Sequence, residues 1–300
     1  MKVRQIDHIL SIIISLGAFA SFSVIFWDIS ANTSVFYICM ATNVLISLNL
    51  YRQLSKDYRS LRALQKIPPP AEWNHILAKT VRFYQDLNAS DKEIFLKRCQ
   101  FFLHPISIIG VKTEIDEQTR VLIAASAIIP VFHFPHFEYT NLKEVLVYPS
   151  AFNVQFKKAG KKTAAGMVGK GLLANKMILS QKALFSGFSN DEDKINVGIH
   201  EFVHLIDGMD GQFDGVPNVL MKKSYVLPWI DRIYKEIQKI KQKQSKINPY
   251  ATKNKAEFFA VASEFFFEQP TVMKRKHPEL YHLMEHTFKR SRSNPFSSKS

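Results

Sequence analysis

The stretch VGIHEFVHLIDG, residues 197 to 208, contains two histidines four positions apart, with a glutamate directly after the first. Apolar residues recur around them with helical spacing and predict an amphipathic helix over 191–207. His200 and His204 would then lie one turn apart, where both imidazoles can point a ring nitrogen at one ion. Glu201 would flank the ion's open position as a general base. The alternative is a pair of ordinary histidines on a helix.

A third metal ligand must come from elsewhere, because a catalytic zinc site has three protein ligands and an open position. No further histidine follows closely, so a later helix must supply a carboxylate. The segment NPYATKNKAEFFAVASEFFFE, residues 248 to 268, offers Glu257, Glu264 and Glu268. Their spacing places all three on one stripe and leaves the choice open. Glu257 has a structural alternative, since it is the third helical residue after the N-cap Asn254.

Asp207, three residues after His204, is predicted to orient a ligand histidine by accepting its free ring N–H. Its alternative role is that of a turn residue before Gly208. The aspartates at 207, 210 and 214 lack the alternate-position spacing of an EF-hand, which excludes that kind of calcium loop.

The amino-terminal part predicts a membrane hairpin. Residues 9–27 and 34–51 are uncharged, and each run approaches the ~20 residues that cross a bilayer core as a helix. Basic residues lie before the first run and after the second, and the loop between the two runs has none. Because basic residues favour the cytoplasmic side, this pattern predicts a multi-pass inner-membrane protein with both termini and the catalytic domain in the cytoplasm. A cleaved signal peptide is the alternative, but the apolar run continues past its small-residue site at 18–20.

Four segments follow from composition. We predict a transmembrane hairpin with a basic juxtamembrane helix over 1–66, a proline-rich linker over 67–72, a folded domain over 73–288 and a disordered basic tail over 289–300. The domain alternates helical periods with short strands, and this indicates an α+β class. The elements expected within it are helices over 73–87, 91–103 (capped by Ser90), 228–243 and 255–268, strands over 144–149 and 177–180, and a loose hairpin over 155–180.

Charge and cysteine content narrow the function classes. The net charge of +14 suits nucleic acid, but the lysines are scattered without interleaved aromatic residues, which argues against a nucleic-acid partner. Attraction to an anionic membrane leaflet explains the charge equally well. Only two cysteines are present, which excludes a disulfide framework.

Two long motifs, HEFVHLIDGMDGQFDGVP and YATKNKAEFFAVASEFFFEQP, carry a family resemblance. They resemble the Mlc titration factor A family of zinc peptidases and, more distantly, lethal-toxin metalloproteases. The likeness runs from Trp73 through Leu122-Ile-Ala-Ala, Val147-Tyr-Pro149 and Phe152 to Pro278-Glu-Leu-Tyr281. It implies a zincin domain of the gluzincin type with a small mixed sheet, and a helix over 120–129. It also implies the site residues: Zn²⁺ held by His200, His204 and Glu257, with Glu201 as base and Tyr250 as hydroxyl donor.

These observations predict a membrane-anchored zinc peptidase that hydrolyses peptides or proteins, with the substrate backbone paired to an exposed edge strand over 177–180. The alternative is a regulatory protein-binding module with weak catalysis, because the resemblance also implies a transcriptional-regulator partner. Two features depart from the family. One is the predicted hairpin, and the other is Gln181, which stands where a tryptophan is expected at the end of the substrate-side strand.

Overall fold

A computed structural model describes residues 5–29, 33–153, 163–164, 166–168, 174–189 and 195–289. The chain divides into two compact units, Met1–Pro68 and Pro69–Ser300. Nearly all of the predicted tail, the first residues of the helix predicted over 191–207, and much of the hairpin predicted over 155–180 lie outside the described residues. The finer domain boundaries remain predictions.

The described residues of the first unit form three helices, α1 (Gln5–Ile29), α2 (Thr33–Leu54) and α3 (Lys56–Lys66). The buried side chain of Asn43 on α2 connects the first two. Its amide donates hydrogen bonds to the Phe19 carbonyl oxygen at 3.0 Å and to Ser23 Oγ at 3.2 Å. Because a buried amide without partners is costly, these bonds favour one pairing of α1 with α2.

Within the part of the chain that the structure describes, no helix combines the length and apolar character needed to cross a membrane. The predicted spans over 9–27 and 34–51, the membrane contact through this hairpin and the multi-pass inner-membrane location are therefore wrong. The prediction rested on runs without charge, and an uncharged residue is not necessarily apolar. Both helices bury polar side chains, among them Ser11, Ser15 and Asn43.

The second unit combines helices with a small sheet, as the predicted α+β class requires. Its helices are α4 (Ala71–Thr80), α5 (Arg82–Gln85), α6 (Ala89–Leu103), α7 (Glu117–Ile128), α8 (Gln181–Ser189), α9 (Val197–Asp207), α10 (Lys223–Lys241), α11 (Lys255–Glu268), α12 (Pro270–Lys276) and α13 (Pro278–Phe288). Its strands are β1 (Ser107–Gly110), β2 (Glu144–Tyr148), β3 (Phe152–Asn153), β4 (Thr163–Ala164), β5 (Gly166–Val168) and β6 (Lys176–Ser180).

The larger sheet is mixed and has the strand order β1-β2-β6-β5. β2 pairs in parallel with β1 and β6, while β5 pairs antiparallel with β6. The prediction that strand 177–180 is an exposed edge is wrong, because β6 is bonded on both sides. Its continuous apolar run, in which Met177, Ile178 and Leu179 are buried, is typical of a central strand covered on both faces. β5 lies at the edge instead.

Several helix ends differ from the sequence-based expectation. The helix expected over 73–87 is interrupted at Val81, and α10 begins at Lys223, before Pro228. The α6 helix is capped by Asn88, which accepts the Asp91 N–H, and not by Ser90. The helix expected over 120–129 is present as α7. Local propensity identifies these helices but leaves their ends to capping and packing.

One hydrophobic core holds the second unit together, with α7, α9 and α11 at its centre. Large side chains such as Phe202 on α9 and Phe258 and Phe259 on α11 are fully buried. α9 approaches α7 closely at Gly198, where an added Cβ would lie 2.1 Å from Ser126 Oγ. Glycine at this position therefore allows α9 to pack deep against its neighbour.

A buried ion pair joins α10 to the start of α13. Glu236 is 1% exposed, its Oε2 lies 3.0 Å from His277 Nδ1, and its Oε1 accepts a hydrogen bond from Lys239 at 3.0 Å. Burial alone would raise the pKa of Glu236. The hydrogen bonds from His277 and Lys239 outweigh burial and lower this pKa to about 2.

We predict that Glu236→Gln lowers the free energy of unfolding at pH 7 by roughly 3 kcal/mol, because it leaves His277 without its buried partner. A folded-state pKa below the unfolded one contributes stability above the ordinary glutamate pKa and loses it as pH falls towards 2. The difference between wild type and variant in urea unfolding should therefore shrink as pH falls below about 4.

The matched control is Asp231→Asn on the same helix, which removes an exposed ion pair with Lys235. It should cost less than about 1 kcal/mol. Equal losses in the two variants, or a Glu236→Gln effect independent of pH, would contradict the assignment.

Candidate metal centre

The helix α9 positions the two histidines through its cap and its buried face. Asn196 begins the helix by accepting the Ile199 N–H at 3.0 Å, and Phe202, Val203 and Ile206 anchor it in the core. His200 and His204 project from another face, where their Nε2 atoms lie 3.1 Å apart. The predicted convergence of the two imidazoles is therefore present.

Glu257 reaches the same point from α11. Its Oε2 lies 3.2 Å from His200 Nε2 and 3.4 Å from His204 Nε2. Ligands at 2.0–2.1 Å from a tetrahedral zinc ion are about 3.3 Å apart, so the three atoms have the mutual spacing of a metal site. Their side chains are 12–14% exposed, which leaves the site open to solvent. Two imidazole nitrogens and one carboxylate oxygen are a suitable donor set for a divalent transition metal.

The capping alternative for Glu257 is also realised in part. Asn254 Oδ1 accepts the Glu257 backbone N–H at 2.8 Å, so α11 begins where expected. The Glu257 side chain, however, points to the histidines. The backbone N–H of Glu257 is thus bound by the helix cap, while its carboxylate lies at the metal centre.

The other two glutamates of the stripe lie behind the histidines. Glu264 Oε1 is 2.7 Å from His200 Nδ1, and Glu264 Oε2 accepts the Asn196 N–H at 2.7 Å. Glu268 accepts a hydrogen bond from the Asn196 side chain at 3.0 Å. Glu264 thus orients the ring of His200 in the way that carboxylates orient metal-ligating histidines. The seven-residue spacing from Glu257 carries this signal in the sequence, but spacing alone does not distinguish a ligand from a residue that orients a ligand.

The carboxylates control the charge of the site. Burial acts to lower the pKa of His200, but its contacts with Glu257 and Glu264 outweigh burial and raise it well above the ordinary value. Burial acts to raise the pKa of Glu257, and the hydrogen bonds from His200, His204 and Lys253 bring it well below the usual range. The site is therefore an electrostatically coupled set whose carboxylate charge favours a bound cation.

Glu201 is buried beside the site, with 5% of its surface exposed. The edge strand β5 passes directly over it. A Cβ added at Gly166 would lie 2.6 Å from both Cγ and Oε1 of Glu201. Burial raises the pKa of Glu201 above that of an ordinary glutamate, which suits a group that takes up and returns a proton.

Tyr250 lies at the rim, 49% exposed, with its hydroxyl 3.4 Å from Glu257 Oε1. Lys253 joins the two residues, since its Nζ donates to Tyr250 Oη at 3.0 Å and to Glu257 Oε1 at 2.8 Å. Sequence reasoning missed Lys253, although its four-residue spacing from Glu257 is that of a helical ion pair. The lysine fixes one carboxylate oxygen and leaves the other facing the histidines.

Asp207 has a different set of partners from those predicted. Both of its carboxylate oxygens accept the Gly215 N–H, at 2.9 and 3.1 Å, and the described residues show no hydrogen bond from it to either histidine. Burial raises its pKa to about 6, against the lowering effect of that N–H. Asp207 thus closes the loop after α9, and a role in orienting a ligand histidine remains a prediction.

Gln181 forms hydrogen bonds with residues outside the metal centre. It begins α8, and its amide donates to Thr119 Oγ1 at 2.8 Å while its oxygen accepts from Thr113 at 2.7 Å. The residue that departs from the family pattern therefore joins α7 and α8 to the loop after β1.

Comparisons with known proteins agree with this geometry. The chain is 28% identical over 242 residues to the uncharacterized protein slr2042 of Synechocystis sp., covering 76% of this chain and 86% of that protein. It is 27% identical over 179 residues to Mlc titration factor A of Pectobacterium atrosepticum (56% of this chain, 66% of that protein). It is 25% identical over 231 residues to the protein of that name from Salmonella arizonae (72% and 90%).

A family model described as glucose-regulated metallo-peptidase M90 matches residues 54–289. That range contains the whole metal centre and most of the chain. The predicted resemblance to the Mlc titration factor A family is thereby confirmed, and a metallopeptidase family implies a bound metal. The chain belongs to the glucose-regulated metallo-peptidase M90 family.

Proposed function

We propose that this chain is a zinc-dependent peptidase of the gluzincin type that hydrolyses peptide bonds in peptides or proteins. The observation that carries the proposal is the convergence of His200 Nε2, His204 Nε2 and Glu257 Oε2 beside a buried carboxylate. The nitrogen and oxygen donors suit zinc, and the three ligands leave a coordination position open. When bound, zinc acts as a Lewis acid that polarises a peptide carbonyl and makes water nucleophilic at neutral pH.

Glu201 is the general base in this proposal. It removes the proton from the attacking water and returns it to the nitrogen of the leaving amine. Its burial supports this role, because a carboxylate shielded from bulk water holds and transfers its proton within the site. Among the described residues it makes no hydrogen bond that would have to break first.

Tyr250 is the proposed hydroxyl donor to the oxyanion that develops on the substrate carbonyl. Lys253 supports this role because it donates to the tyrosine oxygen, so the phenolic hydrogen, which faces Glu257, remains available as a donor. The contact of that hydroxyl with Glu257 is long, at 3.4 Å, so exchanging it for a substrate oxygen costs little.

The substrate backbone is proposed to pair with β5. This strand is the sheet edge next to Glu201, and Gly166 brings its backbone against that side chain. An extended peptide added to this edge would lie across the site with its backbone held by main-chain hydrogen bonds. Such bonds do not depend on side chains, so specificity must come from pockets around them.

The test of catalysis is Glu201→Gln, which keeps the side-chain volume but cannot accept a proton. We expect hydrolysis of a synthetic peptide library, followed by mass spectrometry, to fall by about 10²–10⁴. Bound zinc and the thermal unfolding temperature should stay close to those of wild type. Glu93→Gln, on the exposed side of α6, is the control and should hydrolyse normally. Wild-type cleavage by Glu201→Gln would contradict the assigned role.

A regulatory role is the second candidate, and the relatives favour it. Several relatives are Mlc titration factor A proteins, and this name suggests a regulatory protein partner. The same Glu201→Gln variant separates the two candidates. If the cellular effect of deleting the protein is rescued by this inactive variant, binding and not hydrolysis is the function.

The ligand set predicts how zinc binding responds to two substitutions on α11. Glu257→Ala removes a ligand and should abolish stoichiometric zinc, measured by elemental analysis after dialysis. Glu264→Gln keeps all three proposed ligands but removes the carboxylate that contacts His200 Nδ1 and the Asn196 N–H. It should weaken zinc affinity by about 10–100-fold while leaving the saturated stoichiometry unchanged. Circular dichroism checks the fold of both variants. Retention of zinc by Glu257→Ala together with its loss in Glu264→Gln would make Glu264 the third ligand.

Gly166→Ala tests the contact between β5 and the base. The new methyl group would overlap the Glu201 carboxylate, which must shift within a buried space. A displacement near 1 Å can cost roughly 10²-fold in rate, so we expect a reduced kcat with unchanged zinc content. Unchanged kcat in a folded variant would show that the strand does not position Glu201.

A further inference from the structure

A second histidine pair lies on α13, far along the chain from the metal centre. His282 and His286 are four residues apart and exposed, and their Nε2 atoms are 3.1 Å from each other. His200 and His204 have the same Nε2 separation of 3.1 Å. The ring planes are also alike, at 86° for the α13 pair and 80° for the α9 pair.

This geometry requires more than helical spacing. Two histidines one turn apart can point their rings away from each other, and here both direct Nε2 at one point. Nitrogens 3.1 Å apart fit the edge of a tetrahedron around an ion about 2.0–2.1 Å from each. Without a metal, one ring donates its N–H to the other, and an ion can take the place of that hydrogen.

Packing holds one of the rings in place. His286 stacks on Tyr225 of α10, with centroids 4.8 Å apart and planes at 22°. A ring already fixed by stacking loses less conformational freedom on binding a ligand. Glu285 lies between the two histidines in the sequence. Its carboxylate accepts hydrogen bonds from Lys289 at 3.2 Å and from Tyr281 at 3.3 Å. The pair therefore offers two protein ligands, with water filling the remaining positions.

We propose that His282 and His286 form a second, weaker binding site for a divalent transition metal of the Zn²⁺, Ni²⁺ and Cu²⁺ class. Imidazole nitrogen is a preferred ligand of these ions and not of Mg²⁺ or Ca²⁺. Two ligands bind less tightly than the three at the metal centre, so this site fills after the first. The full chain then binds two ions when zinc is in excess.

The test is equilibrium dialysis of the metal-stripped full-length protein against increasing Zn²⁺, with bound metal measured by elemental analysis. Wild type should show a tight class and a weak class of one ion each. His282→Ala and His286→Ala should each lose the weak class and keep the tight one. His75→Ala, which removes an exposed histidine of α4 with no histidine one turn away, should retain both classes.

A single class in wild type, or a weak class that survives both substitutions, would overturn the proposal. Loss of the Tyr225 contact could disturb the fold of the His286 variant. His282 contacts only His286 among the described ring and hydrogen-bond partners, so its variant gives an independent result. In wild type, histidine ring resonances provide a further readout: both pairs should shift with Zn²⁺, the α13 pair at the higher concentration.

Discussion

The contact between α9 and α11 is the constraint on which the rest of the site depends. A single carboxylate, Glu264, joins the helices by accepting the Asn196 N–H at the start of α9 and by facing His200 Nδ1 one turn later. Asn196 is buried and the His200 side chain is 13% exposed, so this pairing fixes the relative height of the helices as well as their separation. Glu257, seven residues earlier on α11, is consequently held at the Nε2 side of the two histidines.

The surrounding structure protects that alignment from two directions. Beneath α9, Gly198 allows a close approach to α7, and the aromatic side chains of α11 fill the core next to it. Above α9, the edge strand β5 lies on Glu201 at Gly166. A helix packed below and covered above has little freedom to rotate, and a small rotation would separate the imidazoles from Glu257. The proposed base and the proposed ligands are therefore positioned by the same packing.

Local patterns in the sequence identified part of this arrangement. The spacing of His200 and His204 places two rings on one face of one helix, and no tertiary information is needed for that. The choice among Glu257, Glu264 and Glu268 depends on the axial offset between two helices, which helical periodicity does not contain. Only the family resemblance favoured Glu257. The role of Lys253 was missed because a four-residue ion pair is common on exposed helices.

The two wrong predictions, an edge strand over 177–180 and membrane spans over 9–27 and 34–51, have physical causes of the same kind. The sequence predicts strand 177–180 as an exposed edge, yet the continuous apolar run of this strand indicates burial on both faces. The amino-terminal runs predict membrane spans because they lack charge, although they contain uncharged polar residues such as Ser11, Ser15 and Asn43, which the helices bury. In both cases one local property of the sequence does not determine what surrounds the strand or the helix in the folded chain.

A zinc-loaded crystal, with anomalous diffraction collected on either side of the zinc edge, tests the central claim most directly. The account predicts that the strongest anomalous peak lies about 2.0–2.2 Å from His200 Nε2, His204 Nε2 and Glu257 Oε2. It also predicts that Glu264 remains on His200 Nδ1. A principal zinc peak elsewhere, or one coordinated by Glu264 in place of Glu257, would contradict it.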